Sequence, residues 1–268
     1  MVTLTVTNLV TKDTINIKHG FQKPVSRIFV RKGGTIMSNI LVIPDVHLKF
    51  NIMYPIIKEI TSKHKVDQLV FLGDYFDDWS QQRNNKLYQE TCDYLMKLNK
   101  EYNCIFLLGN HDVPYLTGHL QHYSNHDPEI VSLCENTLLS LDPMIAYAHD
   151  GVLYSHAGFL ETPDDIDFRS LLHHNHDHYV RLIAYEQQYY TKDNPLWIRP
   201  DEWQRSLLEW LPTQIVGHSP VPDITTFEAE HFGSKLVVCD TYSHTSWNQK
   251  IGNYALVLVQ DGQIERIY

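Results

Sequence analysis

The amino-acid sequence predicts an α/β fold of two packed, mixed β-sheets flanked by helices, and three observations carry that prediction. Between residues 39 and 112 one unit repeats: a short apolar run ends at a polar cluster, and residues at helical spacing follow. After residue 145 the chain becomes strand-rich and turn-punctuated. Apolar residues make up 43% of 268 positions and charged residues 20%, enough apolar material for a sizeable core.

The elements follow in order. Asn39-Ile40-Leu41-Val42-Ile43 reads as a buried strand that stops at Pro44-Asp45. Ile56, Ile57 and Ile60 mark a helix over 53–65. Gln68 to Leu72 is a second strand, ending at Gly73-Asp74, and a helix is predicted over 84–100 from Leu87, Cys92, Leu95, Met96 and Leu98. Cys104 to Leu108 is the third strand, ending at Gly109-Asn110. Strands joined through helices lie parallel, and the crossovers are right-handed. In the second half, 146–148, 151–155, 213–217, 235–239 and 253–259 read as strands, a helical insertion covers about 165–210, and 113–145 reads as a loop region.

Residues 1–37 stand apart, being rich in Thr, Lys and β-branched side chains. Arg31-Lys32-Gly33-Gly34 is what a purine-rich ribosome-binding sequence would encode in frame, two codons before Met37. Two readings stay open: a leader upstream of the true start, disordered where it is translated, or a β-hairpin belonging to the protein. Residues 38–268 form one domain.

Composition narrows the partners. Lys and Arg total 22 against 32 Asp and Glu, a formal net charge of −10, which repels nucleic acid and anionic membranes at long range, so no DNA binding is expected. No apolar run approaches the roughly 20 residues of a membrane span. Cys92, Cys104, Cys134 and Cys239 are scattered without paired spacing and read as reduced thiols, which predicts a cytoplasmic location.

The chemistry collects at strand ends, where ligands of open α/β sheets bind. The first three strands deliver Asp45 and His47, then Asp74, then Asn110, His111 and Asp112; later strands deliver His156 and His218. Carboxylate, amide and imidazole donors suit Mn, Fe or Zn better than an ion that takes oxygen alone. Glycine before Asp74, Asn110 and His218 is expected to turn the chain so that the next side chain enters the cleft. Each piece alone is weak; the ordered set is specific to a site with two divalent metal ions.

In the order D-x-H, G-D-x-x-D, G-N-H-D, S-H-A-G and G-H-S-P, these residues resemble the calcineurin-like metallophosphoesterases. Within them, the phosphoprotein phosphatase branch, which also holds diadenosine tetraphosphate hydrolases, is the most similar. The resemblance implies a four-layer α/β/β/α sandwich that hydrolyses phosphate monoesters by metal-activated hydroxide, on a phosphoprotein or a nucleotide. It implies that Asp45 and His47 bind the first metal, Asp74 bridges both, and Asn110, His156 and His218 complete the second. His111 would be the general acid with Asp77 orienting it, Asn110 would also touch substrate, and Asp112 and Asp240 would be structural.

Departures from the pattern bear on substrate. The phosphatase branch usually has an arginine after the second aspartate of G-D-x-x-D, where this chain has Asp78, and an acidic group there is expected to repel phosphate. Arg199 in Leu196-Trp197-Ile198-Arg199-Pro200 is expected to clamp phosphate instead, with Arg83 a weaker candidate. Pro220 in Gly217-His218-Ser219-Pro220 stands where many diesterases carry a second ligating histidine, so the first metal keeps three protein ligands. The His173 to His178 cluster reads as a solvated surface, and the aromatics near it, Trp197 included, as packing of the insertion; were they to line the cleft, a nucleotide would gain ground.

Overall fold

In a computed structural model, the protein is described over residues 38–159, 194–199, 213–228, 235–260 and 262–268. Residues 1–37, most of the expected insertion and the 173–178 histidine cluster lie outside the described residues.

The first sheet runs β10-β9-β1-β2-β3. Its centre is the predicted alternation: β1 (Ile40–Ile43), α1 (Phe50–Lys63), β2 (Gln68–Phe71), α2 (Asn85–Glu101) and β3 (Cys104–Phe106), with β1, β2 and β3 parallel. The antiparallel edge comes from the chain's last two strands, β9 (Leu256–Gln260) and β10 (Gln263–Ile267). The second sheet runs β4-β5-β6-β8-β7. It is formed by β4 (Ala146–His149), β5 (Val152–Ser155), β6 (Thr213–Pro220), β7 (Thr225–Glu228) and β8 (Lys235–Asp240). Both sheets are therefore mixed, as expected.

Period-two alternation explains the layering. Ile40 and Val42 of β1 point to a core shared with Tyr154, Ile215, Val237 and Cys239 of the second sheet. Leu41 and Ile43 point the other way, onto Met53, Ile57, Tyr88 and Leu95 of the helices. On the second sheet's outer face Val216, Leu236 and Val238 pack against Ile198.

The structure departs from the expectations in three respects. The region 113–145 is not simply loop: it holds α3 (Val113–Thr117) and α4 (Pro128–Leu141). Asp127 caps α4 by accepting from Glu129 N, and Pro128 opens it. β7 and β10 are further strands, each a four- or five-residue sheet edge. Finally, Gly217 and His218 lie inside β6, at a register shift between Val216 and Pro220, not beyond its end.

Candidate metal centre

The loops after β1, β2 and β3 are tied to one another before any ligand is considered. Val46 N and His47 N both donate to the Asp74 carbonyl, at 3.0 and 2.8 Å. The buried Asp112 carboxylate accepts from Asp74 N, Tyr75 N and Gly109 N at 2.8 to 2.9 Å, lacing the second loop to the third. Burial pushes its carboxyl up to about 7 despite those three donors. This accords with the structural role expected for Asp112.

Gly73, with φ of 101°, supplies the turn predicted before Asp74, whereas the other two glycines act otherwise. At Gly217 an added Cβ would collide with the Asp45 carboxylate, and at Gly109 with Asp74, so these two allow close approach. Left-handed backbone also falls on the polar residues themselves: His47, Asp74, Asp77 and His218 have φ of 42°, 50°, 63° and 61°. Non-glycine residues adopt this region at a cost, and such strain collects at functional sites.

These loops, the end of β5 and the register shift in β6 bring all six predicted ligands together. Donor atoms of Asp45, His47 and Asp74 lie within 4.8 Å of one another, as do those of Asp74, His156 and His218. Asp74 belongs to both groups. The Asn110 amide oxygen sits 2.8 Å from His156 Nε2, which joins it to the second group. His47 Nδ1 lies 2.7 Å from the Asp77 carbonyl and His156 Nδ1 2.9 Å from that of Leu72. Donation to those carbonyls fixes each tautomer and leaves Nε2 with a lone pair facing the cluster.

The electrostatics call for cations. Burial, and then the charge of Asp240, pushes the Asp45 carboxyl well above the usual range; burial, and then Asp45, does the same to Asp74. Burial holds His156 down to about 3 and, with crowding by His156, keeps His218 well below its ordinary value. Among the described residues neither Asp45 nor Asp74 pairs with lysine or arginine. Neutral imidazoles and crowded buried carboxylates are the donor set that divalent ions bind, so the residues fit the metals the motifs imply.

His111 and Asp77 also meet. Asp77 Oδ2 is 3.5 Å from His111 Nδ1, an ion-pair separation. Three hydroxyls hold the Asp77 carboxylate: Tyr88 and Tyr115 on Oδ1, Ser124 on Oδ2. Sequence reasoning missed these partners, which come from α2, α3 and the turn before α4. Asp240 accepts from Ser243 N and Oγ, holding the turn after β8 beside Asp45.

Above the cluster lies a cavity of about 300 Å³, lined among others by His111, Arg199, Lys49, Asp78, Trp79 and Trp197. Arg199 reaches it by donating to the His218 carbonyl at 2.8 Å. Trp197, read from sequence as packing, is on the cavity wall, edge-on to His218 at 5.8 Å. Asp78 is not the bare negative charge that was expected. Buried Lys49 donates to its Oδ2 at 2.5 Å and to the His47 carbonyl at 3.1 Å, while Ser80 N and Oγ occupy Oδ1. Burial opposes the Asp78 charge, yet Lys49 and the two Ser80 donors together outweigh it and hold the carboxyl below its usual value. The signal for Lys49 was its place two residues after His47, on the loop that packs against Asp74 and Tyr75.

A strand-end cluster of this geometry, on two mixed sheets with flanking helices, defines a phosphoesterase centre. The calcineurin-like phosphoesterase family model matches residues 38–259, and the chain belongs to that family: a hydrolase of phosphoric ester bonds whose relatives use a dinuclear metal centre. Among solved structures, it is similar to a protein serine/threonine phosphatase from Saccharomyces cerevisiae, 17% identical, covering 86% of this chain and 79% of that one, with a TM-score of 0.50. A hypothetical protein from Pyrococcus horikoshii OT3 is 10% identical over 85% and 86%, TM-score 0.45. A structure provisionally named a diadenosine tetraphosphatase is 13% identical over 87% and 94%, TM-score 0.43. At these identities the likeness is one of fold. A sequence search of curated proteins gave no match. Among the described residues no helix is long and apolar enough to cross a membrane.

Proposed function

We propose that this protein hydrolyses phosphate monoesters in the manner of serine/threonine phosphatases, using two divalent cations, Mn²⁺ before Fe or Zn. The observation that carries the proposal is the convergence of two donor groups that share Asp74. Asp45, His47 and Asp74 would hold one ion, and Asp74, Asn110, His156 and His218 the other. Bound there, the ions supply a nucleophile from water at neutral pH and positive charge against the phosphoryl oxygens.

The chain's own groups do the rest. The His218 backbone N–H donates to both Asp45 oxygens, at 3.0 and 2.9 Å, and so aims that carboxylate. Arg199 orients the phosphoryl group from the His218 side, and the Asn110 amide adds a contact to it. His111 donates a proton to the departing alkoxide oxygen, while Asp77, held by three hydroxyls, faces its Nδ1 at 3.5 Å and orients the ring. Residues 38–268 act as one catalytic domain. We place it in the cytoplasm, a reading supported by four free cysteines.

The test is a panel of p-nitrophenyl phosphate, its bis ester, a phosphopeptide and diadenosine tetraphosphate, with metal content measured by elemental analysis. Two ions per chain and a preference for monoesters are expected, with activity lost on chelation and restored by Mn²⁺. Turnover that survives complete chelation would refute the proposal; preference for diadenosine tetraphosphate over every monoester would favour dinucleoside polyphosphate hydrolysis.

The Lys49–Asp78 pair gives a sharper expectation. Lys49→Met leaves an unpaired carboxylate on the cavity wall, which repels phosphate and disturbs the loop. KM for p-nitrophenyl phosphate should rise about ten-fold or more, and Lys49→Met with Asp78→Asn together should recover most of it. Steady-state kinetics of the double-mutant cycle checks this; additive losses would mean the two residues act separately.

A further inference from the structure

We infer that Trp79 is a stacking platform for the base of a nucleoside 5′-phosphate, placing the nucleoside on the leaving-group side of the cavity. The inference rests on the proposed monoester hydrolysis and deepens it by naming the group that leaves. Trp79 is 48% exposed and lines the cavity. Among the described residues the other large hydrophobics so exposed, Trp247 and Tyr268, are not on its wall. A lone exposed aromatic is ordinary; one placed a single ring away from the proposed acid is a different matter.

The leaving oxygen must lie against His111, so what surrounds His111 on the cavity wall meets the leaving group. Tyr123 packs on His111 with ring centroids 4.3 Å apart. Trp79 stands edge-on to His111 at 6.3 Å and touches His122 at 5.6 Å and Tyr123 at 5.5 Å. The indole is thus braced from the α3–α4 connection. Its backbone is fixed as well, since Ser80 N and Oγ bind Asp78 Oδ1 and Gln81 N donates to the Asp78 carbonyl at 3.0 Å. A platform fixed before binding loses little entropy on binding.

Spacing distinguishes the ligand classes. An aryl ester, such as a phosphotyrosine, bonds its ring directly to the leaving oxygen and would lie against His111 itself. A phosphoserine leaves as an alkoxide on a peptide and carries no aromatic ring of its own at a fixed distance from that oxygen. A nucleoside 5′-phosphate interposes a ribose between the leaving oxygen and the base, which carries the flat ring out to Trp79. Trp197, also on the cavity wall, adds a second indole to the lining.

Adenosine 5′-phosphate and ribose 5-phosphate share the same leaving alkoxide and differ only in the base, so the comparison needs no mutant. With Mn²⁺ present, the wild-type KM should be about ten-fold lower for adenosine 5′-phosphate, the typical worth of one stacked base. In Trp79→Ala that ratio should fall toward one, and Trp79→Phe should retain most of it. Circular dichroism and metal content show whether each variant is folded, and the wild-type ratio stands even where a variant is not. Equal wild-type KM values for the two substrates, a ratio unchanged in Trp79→Ala, or a KM for phosphotyrosine below that for adenosine 5′-phosphate would each overturn the inference. None of these results touches monoester hydrolysis itself, whose failure would show as no turnover of either sugar phosphate.

Discussion

Asp74→Asn should lower kcat/KM for p-nitrophenyl phosphate with Mn²⁺ by about a thousand-fold, with circular dichroism unchanged. The substitution is isosteric, so the fold has no reason to respond. The amide oxygen can still accept from His111 N, which donates to Asp74 Oδ1 at 2.8 Å. What disappears is charge. Asp74 is the one residue common to both donor groups, with Oδ2 3.7 Å from His47 Nε2 and 3.5 Å from His156 Nε2. A neutral amide cannot offset the mutual repulsion of two dications, and its N–H₂, if it takes the Oδ2 position, turns two donors toward lone pairs. Elemental analysis should therefore find fewer than two ions per chain. Near-normal turnover with two bound ions would refute the bridging role. Asp112→Asn offers a contrast, because among the described residues Asp112 accepts from backbone N–H groups alone; its loss should appear in stability before chemistry.

Much of this centre was legible because each ligand follows or sits in a short apolar strand, a pattern of consecutive residues. β1 and β2 are four-residue strands wholly buried on both faces, apolar throughout except for Gln68 at the start of β2, and the polar residues after them stand out. The missed elements lack that contrast. β7 alternates half-buried and exposed positions over four residues at a sheet edge, and β10 has one buried residue of five. α4 was different: Asp127 followed by Pro128 is a helix start that the sequence did display. Partners distant in sequence stayed hidden for a physical reason. Lys49 reaches Asp78 across 29 positions, and Ser124 reaches Asp77 across 47. Only the laced loops bring them together, so the sequence showed the negative charge at Asp78 and not its neutraliser. Burial of Trp197 within the insertion was inferred from its neighbours in the chain, and its place on the cavity wall depends on β6, to which Arg199 is bonded.

His111→Gln should separate an acid from a ligand through the choice of substrate. If His111 protonates the leaving oxygen, its loss is severe only where that oxygen departs as a poor leaving group. kcat for an alkyl monoester such as glycerol phosphate should drop about a thousand-fold, within the range for general acid catalysis. For p-nitrophenyl phosphate, whose phenolate leaves readily without a proton, the drop should be at least ten-fold smaller. Both ions should remain, because His111 belongs to neither donor group. Asp77→Asn should give the same leaving-group dependence in weaker form. It keeps an oxygen for the Tyr88 and Tyr115 hydroxyls but removes the charge that faces Nδ1 at 3.5 Å. Loss of metal from His111→Gln, or equal losses with the two substrates, would assign His111 to binding or structure instead. The leaving-group dependence follows from proton transfer alone, so no change in metal occupancy or phosphate affinity can imitate it.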